Sequence, residues 1–363
     1  MSFEALPLVI GWELTLSCNL RCRHCGSSAG SPRSNELTTK EALALCDQLP
    51  DLLVQEVDFS GGEPLLRPDW KEIAFRLKDL KIHTNILTHG LDLTVEKIKE
   101  ISEAGITCVG LSIDGLQKNH DFIRGRPGGF QRTLQSIDLL NTLGMKSNII
   151  TTVSSLNVDD LPELMHTLQQ HHVTFWRLQP LMPIGRVKTS QLRVENESIL
   201  KLGRFIQQHK SEAMEHGLEI IGADGLQYIF EEEKTQTSKP WRGCPAGWST
   251  CSITSDGKVK GCLAMPDELI EGDLRNTELW DIWFSPNAFT YNRKFSPDQL
   301  GPNCRECDMC ESCKGGCSTN SYSTTGIFHN DPYCFYMVNK KLKPPDFPAL
   351  LPSLPRQPLA LTS

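Results

Sequence analysis

Three cysteines, Cys18, Cys22 and Cys25, stand in C-x3-C-x2-C spacing directly after the apolar run LVIGWELTL at 8–16. If that run is a strand, the cysteines lie on the loop leaving its C-terminal end. A closed structural zinc site, like an ordinary iron–sulfur cluster, takes four protein ligands. Three thiolates hold three irons of a 4Fe–4S cluster and leave the fourth iron open, and an open position is what a catalytic metal site keeps. The competing reading is a zinc knuckle completed by a distant ligand such as His24.

A second cysteine field follows about 220 residues later, and nine of the chain's 14 cysteines fall between Cys244 and Cys334. Cys304, Cys307, Cys313 and Cys317 form C-x2-C-x5-C-x3-C; upstream, Cys244, Gly257 and Cys262 form C-x12-G-x4-C, and Cys334 comes last. Cys251 and Cys310 are additional. The N-terminal segment has neither a charged n-region nor a cleavage site and reads as a first strand. Without an export signal, so many cysteines point to metal and not to disulfides. Paired C-x2-C units also suit a zinc ribbon. Cys46, on a helical pattern, and Cys108, on a strand pattern, read as inert core residues.

These groups need a scaffold. Strands are expected at 8–16, 55–60, 82–88, 107–114, 146–153 and 174–180, and helices at 38–49, 94–105, 130–144, 158–171 and 195–217. Strand–helix alternation implies a parallel sheet with right-handed crossovers, either doubly wound or a partial barrel, with its chemistry at the C-terminal strand ends. EEEKTQTSKP at 231–240 reads as an exposed connector, and the last stretch, with six prolines in 343–363, as an irregular tail. The chain then divides into a core at 8–185, a connecting helical segment at 186–240, a cysteine-rich domain at 241–340 and the tail at 341–363.

The strand ends carry further motifs. SGGEP, Ser60 to Pro64, closes the second expected strand. Gly61 and Gly62 allow close backbone approach, and Glu63 places a negative charge where an ammonium could sit; alone, the segment is as readily a turn. SIDG, Ser112 to Gly115, closes the fourth strand and precedes HDFIRG with Arg124, a fork suited to a carboxylate or to a surface ion pair.

In this order, over residues 8–180, the motifs resemble those of the radical S-adenosylmethionine (SAM) enzymes. The resemblance implies a partial (βα)6 TIM-like barrel, α/β in class, with a C-terminal cysteine-rich iron–sulfur domain. It implies a 4Fe–4S cluster on Cys18, Cys22 and Cys25 whose open iron chelates the amino and carboxylate groups of SAM. Reductive cleavage of SAM would then give a 5′-deoxyadenosyl radical that abstracts hydrogen. Ser60, Gly61, Gly62, Glu63 and Pro64 are implied around the SAM amino group, and Ser112 and Arg124 at its ribose and carboxylate. Asp114 completes the implied contacts of SIDG; LTHG at 87–90 and LQPL at 178–181 with Gln179, ending the third and sixth strands, are weaker ones that also read as ordinary loop starts. The later field resembles the SPASM extension of the same family. That implies auxiliary cluster I on Cys244, Cys262 and Cys317 with Cys251 as its fourth ligand, and cluster II on Cys304, Cys307, Cys313 and Cys334. Three 4Fe–4S clusters would be present in all, with Cys310 a spare thiol.

Composition bounds the partners. Apolar residues at 39% and charged residues at 22% fit a chain with a sizeable core. A net charge of −7 without any Lys/Arg run leaves no footprint for a phosphate backbone, and no stretch approaches the ~20 apolar residues of a membrane span. Neither nucleic acid nor membrane is expected, and the cytoplasm is the expected location. Since SPASM-type enzymes usually act on peptides, the resemblance implies first the modification of a ribosomally made peptide: a cross-link, a thioether or an epimerised residue. Second comes a small cofactor precursor on a quinone, haem or metal-cofactor pathway, then sulfatase maturation. Many peptide maturases carry an N-terminal recognition domain, whereas the first strand here begins near residue 8, which implies a separate peptide-recognition protein or another substrate. A low-potential donor such as flavodoxin or ferredoxin is implied, feeding electrons by way of the auxiliary clusters. Two extra clusters favour an oxidative outcome. A non-catalytic iron–sulfur or zinc protein is the alternative of a different class, against which GGEP, SIDG and Arg124 speak.

Overall fold

The computed structural model describes residues 5–223, 226 and 242–341. The connector expected at 231–240 and the Pro-rich segment at 343–363 lie outside the described residues.

Seven strands run parallel and in chain order across one sheet: β1 (Val9–Thr15), β2 (Glu56–Gly61), β3 (His83–Thr88), β4 (Ile106–Ser112), β5 (Ser147–Val153), β6 (Phe175–Pro180) and β7 (Glu219–Gly222). Between them lie α1 (Thr39–Gln48), α2 (Trp70–Asp79), α3 (Val95–Glu103), α4 (Gln117–Arg124), α5 (Gly129–Thr142), α6 (Leu161–Gln170) and α7 (Asn196–Glu215). Each helix buries one stripe at three- and four-residue spacing, for example Ile98 and Ile101 of α3 or Ile199, Leu202 and Ile206 of α7. Along β2, β3, β5 and β6 burial alternates, one face packed into the core and the other half-buried or exposed. Trp12, Phe59, Ile86, Leu111, Ile149 and Trp176 are all fully buried, and Trp12 meets Phe59 edge-on at 6.1 Å. Removing a side chain such as Phe59 from water contributes about 2–3 kcal/mol.

Among the described residues the sheet ends at β7 on one side and does not close onto β1, so the barrel is partial. On the other side β1 pairs in parallel with β8 (Thr250–Ile253), which leads antiparallel into β9 (Lys258–Lys260) and β10 (Gly272–Asp273). The cysteine-rich region therefore begins as an extension of the barrel sheet. It continues through the short helices α8 (Leu279–Trp283), α9 (Thr290–Arg293), α10 (Cys310–Cys313), α11 (Ser318–Thr325) and α12 (Phe335–Lys341). The seventh parallel strand and helices α2 and α4 were not expected. β7 is only four residues long, and α4 is a mostly polar octet that buries just His120 and Ile123.

Candidate active site at the C-terminal strand ends

The loop after β1 closes on itself. Ser17 and Gly30 form a bridge, the Cys18 N–H donates to the Gly30 carbonyl (3.0 Å), and the Gly30 N–H donates to Leu16 (2.9 Å). Cys22 is buried, while Cys18 and Cys25 are half-buried. Arg186, in the turn after β6, braces the loop from across the barrel mouth. Its Nε donates to the Cys22 carbonyl (2.7 Å), its Nη1 to Ala29 (2.7 Å) and its backbone N–H to Cys25 (3.0 Å).

Every sulfur of the motif has an N–H donor: Leu20 N to Cys18 Sγ (3.4 Å), Ala29 N to Cys25 Sγ (3.4 Å) and Arg124 Nη1 to Cys22 Sγ (3.8 Å). Donors aimed at sulfur stabilise the thiolate form that metal ligation requires and tune the centre it holds. Burial acts in the opposite sense and pushes the free Cys18 and Cys22 thiols up. Among the described residues no three His, Cys, Asp or Glu side chains surround one point as ligands of a single ion would. Three donor-braced sulfurs on one loop fit a cluster in which each thiolate would hold a different iron. His24, the alternative zinc ligand, instead turns its Nε2 to Asp114 Oδ2 at 3.0 Å.

The GGEP glycines serve this same loop. A Cβ on Gly61, whose φ is +133°, would collide with the Thr15 carbonyl oxygen, and one on Gly62 with that of Ser17. In exchange, Gly62 N–H donates to Thr15 and Glu63 N–H to Ser17, both at 2.8 Å. Glu63 is 2% exposed, and its carboxylate accepts from Thr88 Oγ1 (2.9 Å), His89 N–H (3.1 Å) and Leu65 N–H (3.3 Å). Its charge is directed at the end of β3, with Pro64 opening a short 3-10 turn behind it. Ser60 lies opposite Glu13 in the β1–β2 register.

Asp114, two residues beyond β4, is fully buried. Its Oδ2 lies 2.6 Å from Arg124 Nε, and its Oδ1 accepts from Thr152 N–H at 2.9 Å. Burial alone would raise its pKa, but the charges of Arg124 and His24 overcome that and hold the carboxyl well below the usual carboxylate range. Arg124 is thus a largely buried partner and not a surface one. Gln179 Nε2 donates to Thr152 Oγ1 (3.1 Å), so the ends of β4, β5 and β6 are joined through Thr152. Ser112 ends β4 half-buried. Sequence reasoning missed Arg186 and Thr152, and reached Thr88 only through the LTHG segment at 87–90. The signal for Arg186 was the preceding Gly185, where a Cβ would collide with the carbonyls of Cys25 and Gly26.

In the C-terminal field, burial and then the neighbouring Cys304, Asp331 and Cys307 push the Cys313 thiol up to about 12, and burial, Asp331 and Cys313 raise Cys334 further. Cys304, Cys307 and Cys334 each lie within electrostatic reach of Cys313, and Cys310 lies within reach of Cys307. Cys307 Sγ accepts from Met309 N–H (3.4 Å), and Cys317 Sγ, capping α11, from Asn320 N–H (3.5 Å). Cys244 and Cys262 share the neighbourhood of the Tyr291 hydroxyl. Cys251 lies in β8 opposite Ile10, 1% exposed; burial pushes its thiol up to about 12, and the charge it feels is that of Arg293. Cys310 opens α10, half-buried. Cys46 is buried in the core as expected, while Cys108 is half-buried on β4.

A cavity of about 680 Å³ lies between the two fields. Gly26 and Ser27 of the cysteine loop, Gly185 and Lys188 after β6, and Leu263, directly after Cys262, share its wall. Of its cations, Arg33 is occupied by Glu13 (2.7 Å), and Lys260 by the Met265 carbonyl (2.6 Å) and Asp267 (3.1 Å). Lys188 is exposed and has no ion-pair partner among the described residues.

A parallel partial barrel with three braced thiols on its first loop, and a second cysteine field continuing its sheet, is the architecture of radical SAM enzymes. The chain belongs to the Radical SAM superfamily, whose family model matches residues 12–168, and carries a SPASM iron–sulfur cluster-binding domain at 244–314. It is 31% identical over 358 residues to the AdoMet-dependent heme synthase of Methanosarcina barkeri, covering 92% of this chain and 98% of that protein. It is 27% identical to the PqqA peptide cyclase of Granulibacter bethesdensis, covering 92% and 88%. In fold it is similar to Streptococcus suis SuiB bound to S-adenosylmethionine, with a TM-score of 0.74 at 20% identity over 91% of this chain and 77% of that one. The protein is a radical SAM enzyme, so SAM and a 4Fe–4S cluster belong to it, as do iron–sulfur clusters in the C-terminal field. No helix among the described residues is long and apolar enough to cross a membrane.

Proposed function

We propose that the enzyme oxidatively decarboxylates the carboxyethyl side chains of a tetrapyrrole on a haem-forming route. The carrying observation is the likeness to an AdoMet-dependent heme synthase, 31% identical and spanning nearly the whole of both chains. The cavity supports it: about 680 Å³ is a volume that suits a ligand of this size, and Lys188 offers an ammonium to a carboxylate at its wall.

With SAM bound, the cluster on Cys18, Cys22 and Cys25 supplies a carbon radical able to take a hydrogen atom from an unactivated C–H. Loss of hydrogen from the side-chain carbon next to the ring, then of carbon dioxide and one electron, converts –CH2–CH2–COO− to –CH=CH2. The chain's own residues hold the geometry. Arg186, Gly62 and Glu63 fix the cysteine loop, Lys188 pairs with the departing carboxylate, and Ile184, Leu263 and Met265 exclude water. The released electron needs an acceptor. We assign auxiliary cluster I to Cys244, Cys262 and Cys317 with Cys251 as candidate fourth ligand, and cluster II to Cys304, Cys307, Cys313 and Cys334. That makes three clusters, with SAM held near Ser60–Pro64, Ser112, Asp114, Arg124 and Gln179.

The test is anaerobic incubation with SAM, a reductant and an iron porphyrin bearing propionate groups, read by mass spectrometry. Loss of carbon dioxide and two hydrogens per converted side chain supports the reading, and an unaltered porphyrin contradicts it. The second reading, peptide modification, is favoured by the 27% identity to the PqqA peptide cyclase. It predicts a changed peptide mass and an unaltered porphyrin in the same assay.

A further inference from the structure

The outer face of the cysteine loop is basic although the chain carries a net charge of −7. Arg21 and Arg23 flank Cys22 in sequence, and both are exposed. The loop is fastened to α4: Arg23 N–H donates to the Ile123 carbonyl (2.8 Å) and Arg23 Nε to that of Phe122 (3.0 Å). The Arg23 guanidinium lies 4.2 Å from the centre of the Phe122 ring, which is 42% exposed. Lys118, one helical turn before Phe122, shares its face of α4. A Cβ on Gly125 would come to 3.6 Å from the Arg21 carbonyl, so Arg126, next along the chain and exposed, follows beside the loop. Arg132 reaches the Leu91 carbonyl (3.3 Å) beyond it.

The acids of this face are engaged locally. Asp92 accepts from Asn19 (3.0 Å), and Asp121 accepts from the backbone N–H groups of Gly128 (2.7 Å) and Phe130 (2.9 Å). The surface around Cys307 has a different character. There the exposed Glu306, Asp308 and Glu311 stand beside Arg305 and Lys340, and Asp308 is bonded to Tyr336 and Lys340.

From this arrangement we infer that the loop–α4 face, with Arg23 and Lys118 at Phe122 and with Arg126 and Arg21 (its guanidinium bonded to the Cys18 and Leu20 carbonyls) flanking them, is the docking surface for an acidic, low-potential electron-carrier protein. An exposed aromatic flanked by cations is the pattern of an apolar anchor with an electrostatic rim. The half-buried Cys18 and Cys25 ride on the same loop, so a carrier seated here has a short route to the centre they hold. In each encounter the carrier is oxidised by one electron and that centre is reduced by one. The inference rests on the membership of the radical SAM family and is independent of the substrate.

The test uses reconstituted enzyme and reduced flavodoxin as the carrier, with dithionite as a small reductant that needs no docking surface. Lys118→Glu and Arg126→Glu are chosen because neither side chain braces the cysteine loop. The paired variant should lose about tenfold in flavodoxin-driven 5′-deoxyadenosine formation at low salt. Dithionite-driven formation should stay within about twofold of the wild type, since no steering is involved. Binding of oxidised flavodoxin, read by fluorescence anisotropy, should weaken in parallel and should weaken for the wild type as salt rises from about 50 to about 300 mM. Unchanged flavodoxin binding and turnover in the paired variant would overturn the inference. So would an equal loss with both reductants, or a loss seen instead in Lys340→Glu on the C-terminal domain.

Discussion

Arg124 Nε lies 2.6 Å from Asp114 Oδ2, inside the protein, and the same guanidinium reaches the Cys22 sulfur at 3.8 Å. A residue beyond β4 thereby governs a cysteine on the loop after β1. The carboxylate is fully buried and the guanidinium largely so, and the carboxylate is further met by His24 and Thr152.

Replacing Asp114 by Asn would leave the Arg124 charge uncompensated in a dry site, which costs about 3–5 kcal/mol. The expected outcome is a lowered Tm together with weaker retention of iron during gel filtration. Arg124→Lys keeps the charge but not the fork, and should keep more of the stability than of the iron. Equal Tm in Asp114→Asn and wild type would contradict the arrangement.

A pH dependence follows from His120. Its Nδ1 accepts from the Asp114 N–H (3.2 Å), and burial, aided by the nearby Arg124, pushes its pKa down from 6.5 to about 4. Between those values the unfolded chain binds more protons than the folded one, so stability is full above about 6.5 and is lost as pH falls toward 4. The span corresponds to about 3 kcal/mol. His120→Asn retains an acceptor for the Asp114 N–H without titrating. Its Tm should therefore fall less steeply than that of the wild type between about pH 6.5 and 4.5, measured by calorimetry.

Two of the three cysteines assigned with Cys244 differ in surroundings. Cys251 is enclosed in β8, whereas Cys262 sits beside the Tyr291 hydroxyl and next to the cavity. Cys262→Ser should remove the iron of one cluster, measured by iron and sulfide analysis. If Cys251 is a ligand, Cys251→Ser should do the same; if it is a core residue, iron content should hold and only Tm should fall, by about 1 kcal/mol equivalent for the buried polar group.

Lys188→Ala should raise KM for a carboxylated substrate about tenfold, the loss expected for one charge-assisted contact. Formation of 5′-deoxyadenosine without substrate should not change. A fall in kcat with KM unaltered would instead place Lys188 away from the ground-state carboxylate.

Much of this was legible because the chemistry demanded it. Six strand positions, the three-cysteine loop and the C-terminal cysteine spacing follow from period and residue type. The two glycines of GGEP were read correctly as sites of close backbone approach, but what approaches is the cysteine loop itself, a relation between β1 and β2 that no local pattern encodes. Glu63 and Arg124 carry charges that sequence alone leaves free to meet a ligand or another side chain. Their partners here, Thr88, His89 and Asp114, are set by the packing of neighbouring strand ends. β7 escaped notice because four residues give no period to read, and Lys188 because a lone exposed lysine has no signature until a cavity surrounds it.

The most direct test of the proposed reaction is the fate of one hydrogen. An iron porphyrin deuterated at the propionate carbon next to the ring would be turned over anaerobically with SAM and reductant. Monodeuterated 5′-deoxyadenosine, matched one for one by vinyl groups formed, is the predicted result. Unlabelled 5′-deoxyadenosine with the porphyrin intact would contradict it.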